Sequence, residues 1–213
     1  MPVTLPVMAE PPPPGMLRQT VTYLEMSEPP ARAAAATAVG LAARLEDPVR
    51  LWPMEYRALQ RAVGERWLWW ERLALDDEAL AAIIHDARVE IRRLWTGDAL
   101  AGFSEIDRRE PASVEIAFLG LVPAAIGRGL GRLLLQATLD AAWSKAPRRV
   151  WLHTCDHDHP KALAFYQAAG FRIVRVETLH IPDPRLCGLL PSSAGPHVPR
   201  SGTPLSAPPP RDG

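Results

Sequence analysis

Three glycines at alternate positions, Gly127, Gly129 and Gly131, break an apolar run in the segment Leu119 to Leu134 (LGLVPAAIGRGLGRLL). Without Cβ atoms, backbone N–H groups in such a loop can converge on one point, and a helix opening just afterwards adds unpaired donors and the positive end of its dipole. That combination makes an anion cradle, and a phosphate suits it. Neither familiar nucleotide loop fits: a Walker loop needs Gly-Lys-Ser/Thr, and the dinucleotide fingerprint needs another glycine where Arg132 or Leu134 stands. A tight turn alone accounts for one glycine, not three.

Two further clusters could do chemistry. His153, Cys155, His157, Asp158 and His159 crowd into seven residues. Alternation along a strand puts His153 and Cys155 on one face, but a complete ligand set needs the loop to fold back. The expectation is therefore a strand end with capping residues and no metal, with His153 available to line an acceptor site. Trp67, Trp69 and Trp70, with Tyr56, could hold a cationic amine over their ring faces, or could simply pack in a core.

These residues need elements to position them. Thr20 to Met26 reads as a first strand. Ala33 to Arg44 is Ala-rich but interrupted by Gly40, and helix and edge strand both remain open there. Met54 to Val63 places Tyr56, Leu59 and Val63 at helical spacing before Gly64, and Asp76 precedes a short helix carrying Leu80, Ile83 and Ile84. Val89–Trp95, Ala99–Ile106 and Val114–Val122 read as an antiparallel meander. From Leu130 the period becomes helical, with Leu130, Leu133, Leu134, Ala137 and Ala141 on one face. Val150–Cys155 returns to strand, Pro160 introduces a helix over Ala162–Ala169 ending at Gly170, and Phe171–Glu177 is a last strand. The fold class expected is α/β (α+β): a mixed, largely antiparallel central sheet flanked by helices.

Composition narrows the function. The 213 residues carry 24 basic and 24 acidic side chains, so the formal net charge is zero, and nucleic acid is not an expected partner because counterion release needs a basic surplus. A content of 47% hydrophobic and 23% charged residues is that of a globular chain. No apolar run reaches the roughly 20 residues needed to cross a bilayer, so no membrane association is expected. Two cysteines, Cys155 and Cys187, fit a reducing interior and a cytoplasmic location. Of 23 prolines, eight fall in residues 1–30 and nine in 182–213. Residues 1–18 and 182–213 are accordingly expected to be proline-rich disordered tails around one domain over 19–181. A proline-binding adaptor would use such tails.

Taken in order, the run Glu115-Ile-Ala-Phe-Leu-Gly-Leu-Val-Pro, the loop Gly127-Arg-Gly-Leu-Gly131 opening a helix, Ala162-Leu-Ala-Phe-Tyr166 and Gly170-Phe171 resemble the GNAT superfamily of acyl-CoA-dependent N-acyltransferases. The likeness is close over Val114 to Glu177 and extends earlier only in element order. It implies a GNAT-like fold and acetyl-CoA as acyl-donor cosubstrate. Its pantetheine arm would lie against Leu119, Gly120 and Leu121, and its pyrophosphate against Ile126, Gly127, Arg128, Gly129, Leu130 and Gly131. Where the family usually has Gln or Arg this chain has Ile126, and His159 replaces a usual Asn; Arg128 and Arg132 are placed to compensate.

The resemblance also implies the chemistry. Glu115 matches a strand position that carries the general base in some members, and Glu105 on the adjacent strand is the second candidate. Tyr166 matches the tyrosine that protonates the departing thiolate, and a backbone N–H near Leu119 would meet the oxyanion. The expected function is transfer of an acetyl group to an amine, on a small molecule or a protein, by direct attack on the thioester. The alternative is a catalytically silent sensor or scaffold that binds acyl-CoA; a homodimer is common among the family's members.

Overall fold

The computed structural model describes residues 12–30 and 42–202. Seven strands form one sheet: β1 (Met16–Met26), β2 (Ala43–Glu46), β3 (Val89–Thr96), β4 (Ala99–Asp107), β5 (Ser113–Leu121), β6 (Arg149–Cys155) and β7 (Arg172–Pro182). Four helices accompany them: α1 (Pro53–Gly64), α2 (Asp77–Ile84), α3 (Leu130–Trp143) and α4 (Ala162–Ala168). The spatial order is β2-β3-β4-β5-β6-β1-β7. Every pairing is antiparallel except β5 with β6. The mixed, largely antiparallel sheet flanked by helices is therefore present. The first strand, however, lies between the last two, a non-local placement that no local pattern announces.

Alternation along β4 shows how the two helical layers are held. Phe103 and Glu105 face α1, the first packing with Tyr56, Leu59 and Val63 and the second bonded to Tyr56. Ser104 and Ile106 face the other way, Ser104 meeting Thr138 at 2.8 Å and Ile106 packing with Leu135 and Leu139 of α3. α1 begins at Pro53, and Glu55 reaches back to accept a 2.8 Å bond from the Trp52 amide. Asp76 caps α2 through a 2.8 Å bond from the Ala79 amide. The apolar face of α3 is turned slightly from the expected stripe: Leu134, Leu135, Thr138, Leu139 and Ala142 are buried, while Ala137 and Ala141 are half-buried. Thr138 tolerates the core because its hydroxyl bonds the Leu134 carbonyl at 2.7 Å.

The central event of the sheet is a divergence. β5 and β6 pair over only three positions, from Ser113↔Arg149 to Glu115↔Trp151, and then part. β5 carries a bulge there, since Ile106 faces Ile116 and Glu105 faces Phe118, leaving Ala117 unmatched. A bulge bends its strand and adds twist, which turns the end of β5 away from β6.

The chain ends differ from the tails expected at 1–18 and 182–213. Met16–Arg18 belong to β1, and β7 runs to Pro182. Residues 183–202 then fold back onto the body, where Leu190, Ala194 and Val198 pack with Leu17, Leu68 and Leu73. The cause is a buried ion pair, Arg185 with Asp183 at 2.8 Å, whose guanidinium also donates to the carbonyls of Ala194, Gly195, Val198 and Pro199. Proline content suggested disorder because it forbids helix and sheet; one arginine supplies the acceptors' partners instead. The remaining tail calls, residues 1–11 and 203–213, lie outside the described residues. So do residues 33–41 of the undecided Ala-rich stretch, whose end at Ala43–Arg44 enters β2. Pro160 precedes the cap of α4, Lys161, rather than opening the helix, because a turn from the Ala162 amide to the His159 carbonyl (2.8 Å) comes first.

Candidate active site

The parting of β5 and β6 opens a cleft of about 500 Å³. One wall is β5 from Glu115 to Leu121, the other is His153, Thr154 and Cys155 of β6 with Phe165 and Tyr166 of α4, and Trp67, Leu68, Trp69, Glu71 and Arg72 close one side. The free edge of β5 there offers backbone N–H and C=O groups with no strand partner on the β6 side. Leu119, Gly120 and Leu121, expected along the pantetheine, line this edge. Gly120 is also a packing requirement: a Cβ would come within 2.5 Å of Val63 and 2.9 Å of Trp69.

At one end the cleft reaches the glycine loop. Gly127 and Gly129 hold φ values of +82° and +79°, which side chains rarely adopt, and nothing lies within 4 Å of where their Cβ atoms would be. Gly129 is the residue from which α3 springs; the Arg132 amide meets its carbonyl at 3.2 Å, while the Leu130 and Gly131 amides have no helical carbonyl one turn earlier to bond. The loop is an open cradle of N–H groups at a helix start, a shape that fits a diphosphate. Ile126, Gly127, Gly129, Gly131 and Arg132 line it, and His159 and Lys161 line the same cleft. Arg128 is exposed and outside the lining, and Leu130 is wholly buried among Leu94, Ala101 and Leu134, so neither side chain lines the cleft.

At the other end stand the acid–base candidates. Glu115 lines the cleft with its side chain about a quarter exposed (26%), and His153 Nδ1 lies 3.8 Å from its Oε1. Burial pushes the Glu115 carboxyl up to about 7, and Asp107, its ladder partner, adds repulsion that the Arg72 cation opposes. Tyr166 lines the same cleft from α4, packed edge-on to Phe171, and burial raises its phenol well above the ordinary value, with Asp158 adding to the shift. At pH 7 the Glu115 carboxyl is therefore near its point of exchange, while Tyr166 keeps its proton. Glu105 is not brought to them. It is fully buried, accepts from the Tyr56 hydroxyl and from Arg72 at 2.7 Å, and does not line the cleft.

The histidine-rich segment resolves into local bonds. Asp158 accepts from Thr154 (2.7 Å), from the Cys155 amide (2.9 Å) and from Trp69 Nε1 (3.0 Å), tying the end of β6 to the tryptophan loop. His157 meets the Arg18 carbonyl at 3.1 Å, and His159 Nδ1 accepts from the Lys161 amide at 3.1 Å. Among the described residues no group of three or more His, Cys, Asp or Glu is disposed to hold a metal ion. Of the aromatic cluster, Trp67 and Trp69 line the cleft, Trp70 packs with the returning C-terminal segment, and Tyr56 is buried against Glu105. Sequence reasoning named Asp158 only among the capping residues of a strand end and missed Arg72; both organise the cleft. A WxWW run followed by Arg and a DHD segment held no periodic signal that they would meet.

Comparison with known proteins follows the same lines. Residues 45–171 match the model of the acetyltransferase (GNAT) family. A mycothiol acetyltransferase of Streptosporangium roseum is 36% identical over 90 residues, covering 42% of this chain and 25% of that protein. An N-alpha-acetyltransferase RimI of Mycobacterium tuberculosis is 37% identical over 90 residues, covering 42% of this chain and 54% of that one. The chain thus spans between about a quarter and about half the length of these two relatives. The crystal structure of a GCN5-related N-acetyltransferase from Sphaerobacter thermophilus aligns with a TM-score of 0.56 at 19% identity, over 80% of this chain and 52% of that one, a likeness of fold.

Proposed function

The chain belongs to the acetyltransferase (GNAT) family, and from that premise we propose that it moves the acetyl group of acetyl-CoA onto an amine by direct attack, with no covalent enzyme intermediate. The carrying observation is that one cleft joins an open amide cradle to a carboxyl whose pKa stands at about 7. Acetyl-CoA supplies an activated thioester carbonyl; everything else falls to this chain's residues.

Amides at Gly127, Gly129 and the start of α3 hold the diphosphate, with Arg132 and Lys161 adding charge. The free edge of β5 at Leu119, Gly120 and Leu121 orients the arm as an added strand would. Glu115, half ionised near neutrality, accepts the proton of the attacking amine directly or through water. A backbone N–H near Leu119 stabilises the oxyanion without reorienting. Tyr166, kept protonated by burial, gives its proton to the departing thiolate.

The acceptor is an amine on a small molecule or at a protein N-terminus, the classes that the relatives' names suggest. Glu71, Asp107 and Glu115 share that end of the cleft with Arg72 and Arg109, and Arg109 already pairs with Asp107 at 2.6 Å, which leaves Glu71 and Glu115 to meet the amine. Neither nucleic acid nor membrane enters this reading, and the free thiols Cys155 and Cys187 fit a cytoplasmic setting. The test is amine-dependent thiol release from acetyl-CoA, over small amines and peptides with free N-termini, beside calorimetry with CoA alone. Release with some amine supports the proposal. CoA binding with no release across the panel would make the chain a silent binder, and absence of both would remove the cleft's assignment.

A further inference from the structure

β7 is built unlike the other strands. It ends the sheet order, so no described strand pairs with its outer edge, and it is eleven residues long, against four for β2 at the opposite end. Exposed edges are normally kept short, twisted or heavily charged, because their free N–H and C=O groups invite another chain. From Arg172 to His180 every residue but Glu177 is exposed, on both faces of the strand. Ile173, Val174, Val176 and Leu179 supply four of the seven large apolar side chains that the described residues leave exposed. Such a strand is half of a pairing.

Its sequence selects the other half. When two copies of one strand pair antiparallel about a two-fold axis, the axis passes through a residue, and positions equidistant from it face each other. An axis at Val176 sets Val176 against its counterpart and places Arg175 of each copy opposite Glu177 of the other. An axis at Arg175 or Glu177 would oppose like charges, and one at Val174 or Thr178 opposes no unlike charges at all. The charged pair is already presented on one face: Arg175 and Glu177 lie 3.2 Å apart, Arg175 sits over the Tyr23 ring at 3.8 Å, and the Tyr23 hydroxyl donates to Glu177 at 2.6 Å. The residues around Val176 follow the regular register with β1, the irregularity falling at Val174.

We propose that two copies of this chain associate through β7, with the two-fold axis at Val176, joining their sheets into one. Sedimentation velocity on the full chain over a wide concentration range tests this. The wild type is expected to reach the mass of two chains. Arg175→Glu and Glu177→Arg, each alone, oppose like charges at both contacts and are expected to weaken association by about 10-fold or more. Mixing these two variants restores unlike charges at both contacts, so the mixture is expected to recover dimer. Val176→Lys is expected to stay monomeric with an unchanged circular dichroism spectrum. A wild type that is monomeric throughout, single variants that dimerise as the wild type does, or a mixture that recovers nothing would each overturn the proposal.

Discussion

Glu105 and Glu115 stand on neighbouring strands of one ladder, and the sheet gives their identical carboxyl groups opposite situations. Glu105 is sealed beneath α1, where the Tyr56 hydroxyl and the Arg72 guanidinium satisfy it, and Gln60 in turn donates to Tyr56 at 2.7 Å. Glu115 lies where β5 and β6 part, partly stripped of water, with Asp107 across the ladder and no guanidinium bonded to it. Burial alone does not make a base. A carboxylate buried with its donors is held in place by them, while one buried without them is held near the point of exchange.

The contrast can be broken most directly at Glu115. Glu115→Gln is expected to lower turnover by roughly 100- to 10,000-fold while leaving CoA affinity within about threefold. The rising limb of the wild type's kcat/KM profile, centred near pH 7, should vanish with it. A variant that kept both turnover and that limb would place the base elsewhere. Next in size, Glu105→Gln leaves the half-buried Arg72 cation without its counter-charge and is expected to cost about 2–4 kcal/mol of stability in urea unfolding, less than for a fully buried pair. Its turnover per folded molecule should fall far less than that of Glu115→Gln; a comparable fall would erase the distinction between the two sites.

The smallest effect sharpens the comparison through pH. Because the Glu115 carboxyl is raised from 4.5 to about 7, the folded chain binds more protons than the unfolded one between those values, and its stability falls as pH rises through that window. Glu115→Gln removes this penalty. At pH 8 it is expected to be more stable than the wild type by about 1–2 kcal/mol, a figure reduced for the group's partial exposure, with the difference gone by pH 4. Thermal melts at the two pH values check it, and equal melts at pH 8 would mean that the site carries no such strain.

What the sequence made legible followed from local physics. The glycine loop required positive φ at Gly127 and Gly129, and the period change at Leu130 marked the helix that completes the cradle. Glu115 and Tyr166 could be named from the order of motifs, and both line one cleft. Glu105 could not be told from Glu115, because the difference lies in Arg72 and Tyr56, which are distant in sequence and supplied by another layer. Residues 183–202 were illegible for a similar reason. Their prolines spoke against regular structure, and nothing local revealed that Arg185 would bond four carbonyls and brace the loop carrying Leu68 and Leu73.

The position of β1 bears on how the molecule is made. Met16–Met26 lies far upstream in the chain of both strands that flank it, Arg149–Cys155 and Arg172–Pro182. Until those segments have been translated, β1 has no neighbour to pair with. Three of the seven strands, β6, β1 and β7, can pair only when these distant segments meet, so this end of the sheet closes the longest loops in the fold.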